Sequence, residues 1–267
     1  MGLSHEVNAL NPVQPIFHVR AVDKTFGGRR PYVALNDVNL EVRGGEFLCI
    51  LGASGCGKST LLNLLAGFEA PTSGEVCFRG APVLGPSRER VMFFQDSHAA
   101  LLPWETVEEN AGLGLRLQHA DPVESAAVVE KCLRVVGLLD HRHKLPSEIS
   151  GGMRQRLQIA RALAVNPEVF LMDEPFGALD AITRRRMHVA LHEVWESTAK
   201  TIVFVTHDIV EALTLADRIV IMNVGPRSRI RLEIKVDLPR PRDPADVGFG
   251  RLFKEIEKEL SLDEVHH

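Results

Sequence analysis

The sequence predicts an α/β fold whose core is a mostly parallel sheet covered by helices on both faces. Three observations carry that prediction. Residues 46–51, 169–172 and 201–205 are nearly continuous apolar runs, as expected of strands buried on two sides, and helical patterns separate them. The first run ends in a glycine-rich turn that opens a helical segment at 60–66. The length of 267 residues, 45% hydrophobic and 25% charged, suits one elaborated core or a core with a small lobe, and excludes disordered and fibrous classes.

The elements follow in order. Residues 1–15 have no periodicity and read as a loose leader. Residues 16–19 and 38–42 read as strands, with apolar and polar positions alternating. The segment 96–149 has no buried-strand run, but has helix-like stretches at 106–117 and 123–136 broken by Gly and Pro. It reads as a helical lobe inserted between two parts of the core, 16–95 and 150–240. In the C-terminal portion, 241–267, Leu252, Phe253, Ile256 and Leu260 recur at helical spacing and predict an inward-facing helix near 251–260. The tail His266-His267 is too short to be a metal site, and no large regulatory module is expected after the core.

The net charge of -4 supplies no bulk cationic field, so nucleic acid is not expected as a partner. Cysteines 49, 56, 77 and 132 form no CxxC pair, which favours a reducing compartment over a disulfide framework. No stretch approaches a bilayer span, and the opening MGLSHEVNALNPVQP has no signal-peptide core. A cytosolic chain is expected, with any membrane role acting through a partner.

Gly52-Ala53-Ser54-Gly55-Cys56-Gly57-Lys58-Ser59-Thr60 matches G-x-x-x-x-G-K-[ST], the Walker A pattern, between a buried strand and a helix. Glycines let backbone N–H groups turn inward around phosphate oxygens, and the helix N-terminus adds its positive end. Lys58 is expected to reach the β- and γ-phosphates and Ser59 to ligate Mg²⁺. Cys56, beside Lys58 and near a helix N-terminus, is expected to be reactive as a thiolate. In a parallel sheet ligands gather at the carboxyl ends of strands, so Asp173 and Glu174, which end the run 169–172, should project toward the cradle. Asp173 would hold Mg²⁺ and Glu174 would orient or deprotonate an attacking water. Nucleotide hydrolysis is therefore the leading expectation.

Ile149-Ser150-Gly151-Gly152-Met153-Arg154-Gln155-Arg156 resembles the LSGGQ signature of ATP-binding cassette (ABC) ATPases. It is a second helix N-terminus opened by Ser150, Gly151 and Gly152, and thus a second anion-binding surface. Ile149 and Met153 depart from the consensus; Met153 resembles the nitrate and bicarbonate branch of the importers. The resemblance extends to Phe94-Gln95 as the Q-loop, with Gln95 sensing Mg²⁺ and water. It also covers Gly177-Ala178-Leu179-Asp180 as the D-loop and His207 as the switch histidine at the γ-phosphate. Phe26 falls where the family stacks an aromatic on adenine, with Tyr32 as its rival.

The resemblance covers roughly residues 16–240. It implies a P-loop NTPase cassette with an N-terminal antiparallel β portion and an inserted helical subdomain. It further implies ATP and Mg²⁺, an ATP-sandwich dimer with a second copy of the chain, two membrane permease subunits and, indirectly, a substrate-binding protein. The cytoplasmic face of the inner membrane is the implied location. Leu101-Leu102-Pro103-Trp104, Phe176-Gly177-Ala178-Leu179-Asp180 and the stretch from Val205 to Ala212 look most like importers of nitrate, sulfonates and taurine. Trp104 is either a subgroup-specific membrane-subunit contact or a buried aromatic of the lobe. Thr183-Arg184-Arg185-Arg186 reads as a solvated basic face. An exporter cassette, a non-transport ABC ATPase and a small-molecule kinase are the alternatives. The last would leave Ser150–Gly152 and His207 unexplained.

Overall fold

In the computed structural model of the protein the described residues are 15–28, 30–93, 101–177, 179–223 and 225–264. The chain begins with strands β1 (Pro15–Phe26), β2 (Tyr32–Arg43) and β3 (Phe47–Leu51), then helix α1 (Lys58–Ala66). Strands β4 (Ser73–Phe78), β5 (Ala81–Pro82) and β6 (Arg90–Phe93) follow, then helices α2 (Val107–Leu117), α3 (Pro122–Val135) and α4 (Gly151–Ala164). The remainder is β7 (Val169–Asp173), α5 (Ala181–Thr198), β8 (Thr201–Thr206), α6 (Ile209–Leu215), β9 (Arg218–Met222), β10 (Ile230–Lys235) and α7 (Val247–Glu264).

Two sheets form among the described residues. One has the order β10-β9-β3-β8-β7-β6, parallel except for β10; the other, β2-β1-β4-β5, is antiparallel. Every residue of β3 and β8 is buried, which explains why their sequences do not alternate. Side chains still point to opposite faces with period two. Phe47, Cys49 and Leu51 join Phe170, Met172, Ile202 and Phe204 on the face covered by Leu157 of α4, Leu191 of α5 and Ile256 of α7. Leu48 and Ile50 join Leu171, Val203 and Val205 on the other face, against Leu61 and Leu65 of α1 and Phe17, Val38 and Leu40 of the antiparallel sheet. Phe17, Phe47, Phe170, Phe176 and Phe204 are fully buried, each contributing about 1.5–3 kcal/mol of transfer free energy.

Helices α2, α3 and α4 pack on one another through Ala111, Val129, Leu133 and Leu157. The expected helices at 106–117 and 123–136 are present, their true starts set by caps. Thr106 accepts from the Glu109 amide while its own amide donates to Glu109, and Asp121 caps α3 ahead of Pro122. The strand expected at 16–19 continues to Phe26. A bulge between Val19 and Val22, with Ala21 at φ 44°, breaks the alternation there. Four strands were not expected from the sequence, β4, β5, β9 and β10. The closing helix starts earlier than expected, at Val247, and carries Leu252, Phe253, Ile256 and Leu260 against the core.

Candidate active site

The carboxyl ends of β3 and β7 lie one strand apart, on either side of β8, so the turn after β3 and the acidic pair ending β7 share one rim of the sheet. Between β3 and α1 the chain turns through Gly55 and Gly57, both at positive φ, 80° and 87°. A Cβ at Gly57 would lie 2.8 Å from Leu35 Cδ2, so glycine is required there twice over. No side chain caps α1, which leaves its first amides directed at the turn. Lys58 is 4% exposed, and its ammonium donates to the carbonyls of Gly52 and Ala53, both at 2.8 Å.

Ser54, Gly55, Gly57, Lys58, Ser59, Thr60, Asp173 and Glu174 line one cleft of about 430 Å³, together with Tyr32 and Ala34. Ser59 donates to Asp173, whose carboxyl burial pushes above its ordinary range. Glu174 sits at φ 42°, a left-handed conformation unusual for its residue type, with its amide bonded to the Val205 carbonyl at 3.0 Å. Its carboxylate lies 3.9 Å from Lys58 Nζ and 3.2 Å from His207 Nδ1. The cradle lysine, the strand-end carboxylate and the histidine after β8 therefore form one line. A larger hollow of about 730 Å³ at the amino ends of the strands, bordered by Arg79 and Glu168, has no such cradle.

Other expected site residues lie elsewhere. Ser150 caps α4 by accepting from the Met153 amide at 3.3 Å, and Gly151 is exposed with no atom within 4 Å of an added Cβ. Ser150, Gly151 and Gly152 do not line the cleft of their own subunit. Phe26 pairs with Tyr32 across β1 and β2 beneath the Lys24 ammonium, 4.9 Å from its ring centroid; Tyr32, not Phe26, lines the cleft. Gln95 lies outside the described residues, as do Ala178 and His266-His267.

Two expectations are corrected. Cys56 is 1% exposed, in the cluster with Leu48, Ile50 and Met222, and a Cβ on Gly52 would come within 2.7 Å of its sulfur. The thiol faces the core, so a bulky reagent has no path to it. The basic run 183–186 divides: Arg185 and Arg186 are exposed, whereas Arg184 binds the Leu179 carbonyl and lies beside Asp208 and Glu211. Sequence reasoning missed Glu211 and His188 as well. Both are polar residues at buried positions of helical segments, and a period-3.6 count would have set them on the core face.

The sequence matches the ABC transporter family over residues 35–177. The chain belongs to that family, and it is an ATP-binding, ATP-hydrolysing cassette of the transport class. It is 49% identical over 231 residues to the nitrate import ATP-binding protein NrtD of Synechococcus elongatus, which covers 85% of this chain and 84% of NrtD. It is 47% identical over 215 residues to the bicarbonate transport ATP-binding protein CmpD of Synechocystis sp., 80% of this chain and 76% of CmpD. Among solved structures, the dimeric ATP-binding cassette MJ0796 bound to ADP and Pi superposes with a TM-score of 0.71 at 32% identity, over 84% of this chain and 100% of that one. The P-loop fold expected from the sequence is thus found, and the nitrate and bicarbonate relatives agree with the branch that Met153 resembles. No helix among the described residues is long and apolar enough to cross a membrane.

Proposed function

We propose that the chain energises an importer of a small inorganic anion, nitrate foremost, by hydrolysing ATP in the Lys58–Glu174–His207 cleft. The observation that carries this is the Glu174 carboxylate lying 3.9 Å from Lys58 and 3.2 Å from His207. The names of the relatives support the substrate class.

In this reading the amides of residues 54–60 and the Lys58 ammonium hold the β- and γ-phosphates, and the Phe26–Tyr32 edge offers adenine an aromatic surface. Ser59 and Asp173 suit a hard cation: a hydroxyl and a carboxylate already joined, in a cleft where the nucleotide's phosphates would supply further oxygens. Mg²⁺ held there would neutralise phosphate charge; Gln95 is proposed as a further contact. Water attacks the γ-phosphorus, the bond to the bridging oxygen breaks, ADP leaves, and Glu174 accepts the water's proton while His207 steadies the γ-phosphate.

Ser150, Gly151 and Gly152 are turned to a second copy of the chain, each signature segment completing the other subunit's site. The helical segment 96–149, with Trp104 73% exposed, faces one of two permease subunits at the cytoplasmic side of the membrane, and a separate binding protein delivers the anion. A kinase has no reason to dimerise around its nucleotide.

Glu174→Gln tests the reading. The amide keeps the shape but takes no proton, so hydrolysis should fall by orders of magnitude while binding persists. Light scattering after size exclusion should give a dimer with Mg-ATP and a monomer with ADP. Hydrolysis near the parental rate would remove Glu174 from the mechanism.

A further inference from the structure

Behind the Glu174–His207 contact lies a buried polar cluster to which no part has yet been assigned. Glu211, on α6, is 5% exposed, and one of its carboxylate oxygens accepts from the Thr206 hydroxyl at 2.6 Å. The other lies 3.2 Å from His188 Nε2, on α5, and 3.7 Å from Arg184 Nε. Thr206 Oγ1 in turn accepts from the Asp208 amide at 3.0 Å, so the hydroxyl and carboxylate grip the turn Thr206-His207-Asp208 from both ends. Asp208 caps α6, accepting from the amides of Val210 and of Glu211 itself.

Arg184 carries this grip to another element. Its guanidinium lies 3.5 Å from the Asp208 carboxylate and donates to the Leu179 carbonyl at 3.1 Å. Leu179 belongs to the loop that opens α5, where Asp180 caps the helix. Phe176, two residues after Glu174, is fully buried with its ring 5.4 Å from that of His188. One buried carboxylate and one guanidinium thus tie together the histidine turn, the loop after the catalytic strand and the start of α5. Burial alone would push the Glu211 carboxyl up, but the bonds from His188 and Thr206 with the charge of Arg184 outweigh it, and the carboxylate is held ionised. An ionised acceptor in a low-dielectric site fixes its donors more firmly than a neutral one.

We propose that Glu211 and Arg184 are positioning residues for hydrolysis. They hold His207 at Glu174 and lock that contact to the Leu179 loop, so that the hydrolytic pair and the α5 entry move as one unit. The proposal rests on the reading of Glu174 and His207 as the hydrolytic pair. Neither Glu211 nor Arg184 lines the nucleotide cleft, so their loss should act on turnover and not on binding.

The test uses Glu211→Gln, which keeps shape and volume, and Arg184→Ala, which removes a partly exposed side chain; neither should unfold the chain. Each is made in the parental protein and in His207→Ala, and single-turnover hydrolysis of labelled ATP is followed beside equilibrium ATP binding. Each variant should lower the parental rate by about tenfold with nucleotide affinity within about twofold, the loss expected from a charge-assisted bond. In the His207→Ala background neither should slow hydrolysis further, because the route through His207 is already gone. A merely structural role would cost the same factor in both backgrounds, or weaken ATP binding in step with the rate, and either result overturns the proposal. His207→Ala hydrolysing at the parental rate would instead remove the hydrolytic pair on which it stands.

Discussion

Asp173 sits where two demands conflict. The cation role proposed for it needs an ionised carboxylate, yet burial pushes this carboxyl above its ordinary range. Ser59's hydrogen bond and the Lys58 charge pull it down, and Glu174 next door adds to the rise. A carboxyl that binds its proton more tightly folded than unfolded costs stability once the pH passes its unfolded value, and costs nothing below it. Asp173→Asn should therefore raise the thermal midpoint by about 1–3 °C near neutral pH in the absence of nucleotide and magnesium, with the gain shrinking toward the acid side. The same variant should lose hydrolysis, a trade of stability against function that is common at active sites. An unchanged or lowered midpoint, read by calorimetry, would mean that Lys58 and Ser59 already compensate the buried charge. The types and spacing of Lys58, Asp173, Glu174 and His207 were legible in the sequence because the chemistry demands them. The direction of Cys56 was not: whether a side chain in a turn faces ligand or core depends on Met222, far away in the chain. Arg184 was misread for a related reason, since its partners Asp208 and Glu211 meet it only after the sheet has formed.

At the scale of elements, Asn110 holds the loop in which Trp104 stands. It is fully buried on α2; its amide donates to the carbonyls of Leu102, Glu105 and Thr106 at 3.0, 2.8 and 3.0 Å, and its oxygen accepts from the Leu102 amide at 2.9 Å. Arg161 of α4 also binds it, through Asn110's backbone carbonyl at 3.0 Å and its side-chain oxygen. Asn110→Ala strands several buried groups at once, which should cost about 2–4 kcal/mol in urea unfolding with an unchanged slope. A cost below about 1 kcal/mol would mean that water replaces the amide and that the loop is not pinned there. The helices of this region were legible from their helical patterns, and the structure sets their starts with caps that act on near neighbours, Thr106 with Glu109 and Asp121 ahead of Pro122. Strand β1 was only half legible: the register shift after Val19 moves the apolar positions to the other parity, and a period-two reading stops there. The start of α7 was hidden by Gly248 and Gly250, which lower helix propensity where packing supplies the order.

At the scale of the whole molecule, the subunit holds the cleft proposed to cradle phosphate and a second helix start, at Ser150, that this cleft does not use. The layered sheet explains why: β7 follows α4 directly and sends Asp173 to the cradle, while Ser150 opens α4 at its far end. Gly151→Asp isolates that second surface. Its added Cβ meets no atom within 4 Å, and an acidic residue in the first turn of a helix is favourable by about 0.3–1 kcal/mol, so the subunit should fold at least as stably as the parent. The monomer should bind ATP as before, since Lys58, Ser59 and the cradle amides are untouched. In the dimer, however, the new carboxylate would stand beside the partner's γ-phosphate, replacing attraction by repulsion. Hydrolysis should then drop by about a hundredfold or more, the scale on which removing one oriented donor from a transition state acts. Thermal unfolding, equilibrium ATP binding and phosphate release on one preparation give the three readouts. Hydrolysis at the parental rate would take the Ser150–Gly152 segment out of the reaction, and a parallel loss of binding would assign it to its own subunit's cradle. Because Gly151 does not line its own subunit's cleft, unchanged folding and binding with turnover abolished is the combination expected of a site shared between two copies.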